Sequence, residues 1–333
     1  MNDTMVNVLP VASGKGGVGK SALSTNLSVA LAQSGNKVIL IDFDLGGSNL
    51  HTLLGLKNNH AGLGNFIYRQ TDSLASLLQE SGIDGLQFIA GDCLFPGTAN
   101  MDFFIKRKLM KEITALDADY VLLDLGAGSA YNTLDFYLMT YNSLLITTAE
   151  LTAILNAYSF LKAAAYRFLI GQFKAKSQER AFIKEYIYNS AAGAENSFTE
   201  LIQRLEENFP FSTTNIEPEL KKYRPQIILN QGRSAQDLDM CRRLRSLVKN
   251  KLSLDMDFVG CITHEPEVSM AIARRTPLIV TQPDSIFARQ IRETAERISQ
   301  HDYMFNETLE FDDIGMFENS FMRARAKLLK KGQ

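Results

Sequence analysis

A doubly wound α/β fold with a mostly parallel sheet is what this sequence predicts, and three observations carry that reading. The apolar run Val8-Leu9-Pro10-Val11-Ala12 feeds a glycine-rich turn and then a helical stretch from Ser21 to Gln33. Two further apolar runs, Lys37 to Asp42 and Asp119 to Asp124, each end in an acidic residue. Helical patterns separate the strands, the alternation that builds βαβ units and puts chemistry outside the carboxyl ends of the strands.

The turn after the first strand, Val6 to Ala12, reads Gly14-Lys15-Gly16-Gly17-Val18-Gly19-Lys20-Ser21. Gly14, Gly19, Lys20 and Ser21 hold the fixed places of a G-x-x-x-x-G-K-[ST] phosphate loop, whose glycines let backbone N–H groups wrap a polyphosphate. Lys20 is expected on the β- and γ-phosphates and Ser21 on Mg²⁺, with the positive end of the following helix dipole aimed at the anion. Gly35-Asn36 breaks that helix, and the strand Lys37 to Asp42 runs into Phe43-Asp44-Leu45-Gly46-Gly47-Ser48-Asn49. Short helices are expected at Leu53-Leu54, Leu63 to Tyr68 and Leu74 to Leu78, a strand at Leu86 to Gly91, a loop over Asp92 to Asn100 and an amphipathic helix from Phe103 to Leu116. The strand Asp119 to Asp124 has the form of a Walker B segment, so Asp124 is expected to hold Mg²⁺, with Leu125-Gly126-Ala127-Gly128 as a small mobile turn beside the γ-phosphate.

Lys15 narrows the reading, because it sets a second ammonium group on a loop that needs one. The spacing Gly-Lys-Gly-Gly-Val-Gly-Lys-Ser resembles the deviant phosphate loop of the MinD/ParA family of ATPases. In that family the extra lysine reaches the nucleotide of a second subunit, so the resemblance implies an ATP-dependent sandwich dimer with Lys15 in the catalytic centre. The segment at Asp42 and Asp44 is similar to the family's D-x-D, which implies that Asp44 positions the attacking water; Asp42 reads as a cap for the turn at Ser48-Asn49. After a strand from Ser143 to Thr148, the stretch Thr147-Thr148-Ala149-Glu150 resembles the family's T-x-P-E, with Ala149 in place of proline, and implies that Glu150 faces the partner's nucleotide. A glutamate in a first helical turn is also plain dipole complementation. Asn230, closing the strand Gln226 to Asn230, resembles the family's adenine reader, whose amide donates and accepts.

The remaining elements are a helix from Asp237 to Lys251, a strand from Phe258 to Ile262, a helical stretch from Val268 to Arg274 and a helix from Ser285 to Ile298. Residues 171–224 depart from a compact family member and read as a helical insertion, with one stripe at Phe182, Ile183, Tyr186 and Ile187 and another at Leu201, Ile202 and Leu205. The division is thus an ATPase domain over 1–302 carrying that insertion, then an acidic linker and basic tail helix over 303–333. In the tail, Phe317, Phe321, Ala324 and Leu328 share one helical face and Arg323, Lys327 and Lys330 another. Two readings stand for Phe317–Lys331: an interfacial anchor on an anionic membrane, as MinD-like proteins carry, or a helix packed on the domain.

Composition sets the outer limits. The chain has 333 residues, 45% hydrophobic and 22% charged, ordinary globular material. Its net charge of −2 gives no global pull toward nucleic acid, and neither a membrane-spanning run nor a signal peptide is evident, so a cytoplasmic protein is expected, with the inner membrane face as a peripheral site. Cys93, Cys241 and Cys261 are single and far apart, which favours inert thiols over a disulfide or a cluster site within one chain, and His51 and His60 lack a partner at ligand spacing. The function that the resemblance to the MinD/ParA family implies is a slowly hydrolysing, Mg-dependent ATPase that dimerises on ATP, answers to a stimulating protein partner and regulates division-site or flagellar placement. The alternatives are a ParA-type DNA-partitioning ATPase and a P-loop kinase or synthetase of the same superfamily.

Overall fold

The structure is a computed structural model that describes residues 6–57, 61–91, 101–141, 143–191 and 197–300. His60, the whole loop 92–100 with Cys93, and the whole tail, including Phe317–Lys331, lie outside the described residues.

Eight strands form one sheet: β1 (Asn7–Ser13), β2 (Val38–Phe43), β3 (Gln79–Ile83), β4 (Leu86–Ile89), β5 (Tyr120–Leu125), β6 (Leu144–Thr147), β7 (Gln226–Gly232) and β8 (Asp257–Thr263). Their order is β3-β4-β2-β5-β1-β6-β7-β8, parallel throughout except for the β3–β4 hairpin. Thirteen α-helices are described: α1 (Lys20–Gln33), α2 (Leu50–Leu53), α3 (Leu63–Ile67), α4 (Phe103–Thr114), α5 (Tyr131–Tyr137), α6 (Leu151–Gly171), α7 (Gln178–Ala191), α8 (Phe198–Asn208), α9 (Ile216–Lys222), α10 (Asp237–Leu252), α11 (Glu267–Ala273), α12 (Leu278–Thr281) and α13 (Ile286–Gln300).

The strands are apolar on both faces because both are covered, and alternate side chains feed two cores. In β1, Val8 and Ala12 join the core under α4, α5, α6 and α10, whereas Leu9 and Val11 join the core under α1 and α13. Helix α1 is buried along nearly its whole length, and its small polar residues make this tolerable: Thr25 and Ser28 donate to carbonyls one turn back, at 2.8 Å each. Chain direction reverses about β1. The path from β1 leads through α1 to β2 on one side, while the chain leaving β5 crosses to β6 on the other, so a crevice opens at the carboxyl end of β1.

One sequence expectation changes. Leu74 to Leu78 holds only a 3₁₀ turn, Ala75–Leu77, and the residues after it form the antiparallel edge strand β3. Gly82, at φ 78°, interrupts any alternation there, and buried Ser81 turns its hydroxyl onto the Leu86 carbonyl at 2.6 Å. Within 171–224, helices α7 to α9 share the core of the sheet's first face: Phe198 meets Tyr166 of α6 edge-on at 5.2 Å, and Tyr223 stacks on Phe168 at 5.4 Å.

Candidate functional site

The site forms at the carboxyl ends of β1, β2, β5 and β6, where the loop between β1 and α1 crosses the crevice. Gly17 and Gly19 sit at φ 84° and 85°, the left-handed region that glycine enters without penalty, and this curls the loop so that α1 starts directly at Lys20. Gly14 packs so closely on α6 that a Cβ there would stand 2.4 Å from the Asn156 backbone. The loop is thus pinned at its entry and curled at its exit.

Lys20 points inward. Its Nζ lies 2.8 Å from Asp124 Oδ1, with the two side chains 7% and 1% exposed, yet it completes no well-directed hydrogen bond. A buried ammonium with unspent donors, at the base of a curled glycine loop, fits an anionic ligand. Asp124 takes hydrogen bonds on both oxygens, from Ser21 Oγ to Oδ2 at 2.7 Å and from Ser24 Oγ to Oδ1 at 2.7 Å. A hydroxyl and a carboxylate are the hard oxygen donors that Mg²⁺ accepts beside substrate phosphates and water. Among the described residues no group of three or more His, Cys, Asp or Glu side chains is arranged for a metal.

Asp42 and Asp44 part company. Asp42 is buried, and its Oδ2 accepts from Ser48 Oγ and from the N–H groups of Asn49 and Leu50, at 2.7, 3.0 and 3.1 Å, so it ties down the turn into α2. Burial, and then the nearby Asp124 charge, push its pKa up to about 6. Asp44 is only partly buried, faces the turns at Gly47 and Gly126, and accepts no side-chain hydrogen bond among the described residues. Gly128 N–H donates to Ser13 O at 3.0 Å, so the turn after β5 is tied to the end of β1.

Lys15 points outward. Its Nζ donates to Glu150 Oε2 at 2.8 Å and to Thr152 Oγ1 at 3.0 Å, both at the start of α6, and the contact holds the Glu150 carboxyl below its ordinary pKa. Asn230 is buried and donates from Nδ2 to Val18 O at 2.7 Å. The structure therefore brings all the residues predicted from the sequence to one crevice. Ser24 and Thr152 were missed. The available signal was a buried-face serine one turn after Ser21, and a threonine two residues after Glu150. Cys241 and Cys261 are buried, and burial pushes the Cys261 thiol up to about 12, which leaves it protonated and inert.

A parallel sheet with a curled glycine loop, a buried lysine and a strand-end aspartate sharing hydroxyls with the loop is the architecture of the P-loop NTPase fold. Residues 4–165 match the ParA family model, described as NUBPL iron-transfer P-loop NTPase. Over those residues the chain is similar to the ParA family of P-loop NTPases, and its relatives include MinD proteins. It is 32% identical over 159 residues to the septum site-determining protein MinD of Helicobacter pylori, covering 45% of this chain and 56% of that protein. It is 29% identical over 196 residues to the flagellum site-determining protein YlxH of the same organism, covering 55% of this chain and 63% of that one. The chain thus matches less than two thirds of the length of these curated relatives. Among solved structures, MinD of Pyrococcus horikoshii complexed with Mg-ADP shares the fold at a TM-score of 0.56 and 20% identity, over 89% of this chain and 97% of that one. Among the described residues no helix is long and apolar enough to cross a membrane.

Proposed function

We propose that the protein is a MinD-type ATPase that dimerises on ATP, hydrolyses it slowly and regulates the placement of a cellular structure. The observation that carries this is the division of labour between the two loop lysines: Lys20 is buried on Asp124, whereas Lys15 stands at the rim, held by Glu150 and Thr152. A rim ammonium can be handed to another molecule without opening the core. Glycines 14, 16, 17 and 19 with Val18 cradle the triphosphate through backbone N–H groups, and Lys20 turns from Asp124 to the phosphates. Ser21 and Asp124 hold Mg²⁺, which when bound neutralises charge on the phosphate oxygens. Asp44, whose carboxylate is uncommitted among the described residues, orients the attacking water. Lys15 and Glu150 serve the nucleotide of a second copy, and Asn230 reads the adenine with the donor and acceptor capacity left beside its bond to Val18.

The relatives named for septum and flagellum sites support positional regulation. A protein partner that stimulates hydrolysis and a cytoplasmic location, peripheral to the inner membrane face through Phe317–Lys331, belong to the same reading, the latter on the basic amphipathic pattern of that segment. The domain division at 302/303 and the insertion over 171–224 belong to the same proposal. The test is the mass in solution with ADP, with ATP, and with ATP on the Asp44→Ala variant. A monomer with ADP and a persistent dimer for Asp44→Ala with ATP is expected. A single chain under all three conditions refutes the proposal.

A further inference from the structure

The hydroxyls along α1 differ in what they reach. Thr25 and Ser28 donate only to carbonyls four residues back, which satisfies a buried hydroxyl and does no more. Ser24 has that option too, at 3.0 Å from Lys20 O, but its Oγ also lies 2.7 Å from Asp124 Oδ1, on a strand 100 residues away in sequence. A hydroxyl has one proton. The carboxylate is the nearer acceptor and, being charged, the stronger one.

Both oxygens of Asp124 are therefore held by serines one helical turn apart, Oδ2 by Ser21 and Oδ1 by Ser24, with the Lys20 ammonium also on Oδ1. If Asp124 serves Mg²⁺, as proposed above, two of these three groups take on a second task on loading: Ser21 would offer a lone pair to the ion while its proton stays on Oδ2, and Lys20 would turn to the phosphates. Ser24 is fully buried on α1, and its other acceptor, Lys20 O, is the farther and uncharged one. The geometry points to Ser24 as the positioning residue of the metal site: it holds Oδ1 in place so that Oδ2 is the oxygen presented to the ion. This inference rests on the reading of Asp124 as a metal residue, and the controls below separate the two.

The test uses the full chain with saturating ADP and Mn²⁺ in place of Mg²⁺, free Mn²⁺ being counted from its electron paramagnetic resonance signal. Losing an outer-shell partner of this kind weakens metal affinity by about tenfold or more. Ser24→Ala is expected to raise the Mn²⁺ dissociation constant about tenfold and to leave metal-free ADP binding unchanged. Ser28→Ala, which removes a similarly buried hydroxyl with the same back-contact, is expected to leave both unchanged. If Ser24→Ala binds Mn²⁺ within about twofold of the parent while Asp124→Asn loses it, Ser24 has no positioning role and the reading of Asp124 stands. If Ser28→Ala weakens Mn²⁺ as much as Ser24→Ala, the effect is one of packing and the inference fails. If Asp124→Asn keeps the parent's Mn²⁺ affinity, the reading of Asp124 itself is wrong.

Discussion

Three glycines of the phosphate loop separate the two reasons a glycine can be needed, and single alanine substitutions should rank accordingly. A Cβ at Gly16 meets nothing within 4 Å, and its φ lies outside the left-handed region. A Cβ at Gly17 also meets nothing, but the residue sits at φ +84°. A Cβ at Gly14 would stand 2.4 Å from Asn156 C and O and 2.7 Å from Ala157 N, all backbone atoms that cannot rotate away. Gly16→Ala is therefore expected to be near neutral, within about 0.5 kcal/mol, as for surface substitutions. Gly17→Ala should cost about 1–2 kcal/mol of backbone strain. Gly14→Ala requires the loop or α6 to move by about 1 Å to reach ordinary contact, which in a packed interior costs about 1–3 kcal/mol or more. A shift of that size in a loop meant to position phosphates should also slow hydrolysis by about a hundredfold. Thermal melts of the nucleotide-free variants and initial rates of ATP hydrolysis measure the two effects. The reasoning is refuted if Gly14→Ala melts and hydrolyses like the parent, or if Gly16→Ala proves the most damaging of the three.

Two further predictions concern charge and the tail. The Asp42 pKa is raised in the folded state to about 6 from 3.8, so between about pH 4 and pH 6 the folded chain binds more protons than the unfolded one and stability falls as pH rises through that window. The full effect is about 3 kcal/mol at 1.36 kcal/mol per pKa unit. Melts from pH 4.5 to 7 should show this downward component in the parent and not in Asp42→Asn, and matching slopes would count against the buried-charge account. For the tail, ATP is expected to promote sedimentation with anionic vesicles, and removal of Phe317 to Gln333 to abolish it; equal sedimentation of the two forms would dismiss the anchor.

What could be read from the sequence was what local chemistry writes locally. The phosphate loop needs its glycines, lysine and serine within eight residues, and Asp42 and Asp124 close apolar runs that can only be buried strands. The edge strand β3 was not legible, because Gly82 and the inward Ser81 break the period-two pattern on which a strand is recognised. Helix α5 was missed for a similar reason: its start at Tyr131 follows Ala130, which offers no capping side chain. The pairings that give the site its character, Ser24 with Asp124, Lys15 with Glu150 and Asn230 with Val18, span 100, 135 and 212 residues. No spacing rule reaches that far; they are products of strand order.

Those pairings also bear on why a family of this kind would carry two lysines in one loop. The inner pair, Lys20 with Asp124, is nearly inaccessible to water, where breaking an ion pair without a replacement partner is costly. Lys20 can leave Asp124 only when something equally anionic enters the crevice, which makes its movement a consequence of loading. The outer pair, Lys15 with Glu150, has side chains 30% and 68% exposed, and water screens such a pair so that it adds little. Lys15 is thus held firmly enough to keep it at the rim and loosely enough to be exchanged for a contact on another molecule. In the proposed dimer, the first lysine reports that nucleotide is present and the second transmits that report across the interface. The difference in burial between the two pairs sets the order of those events.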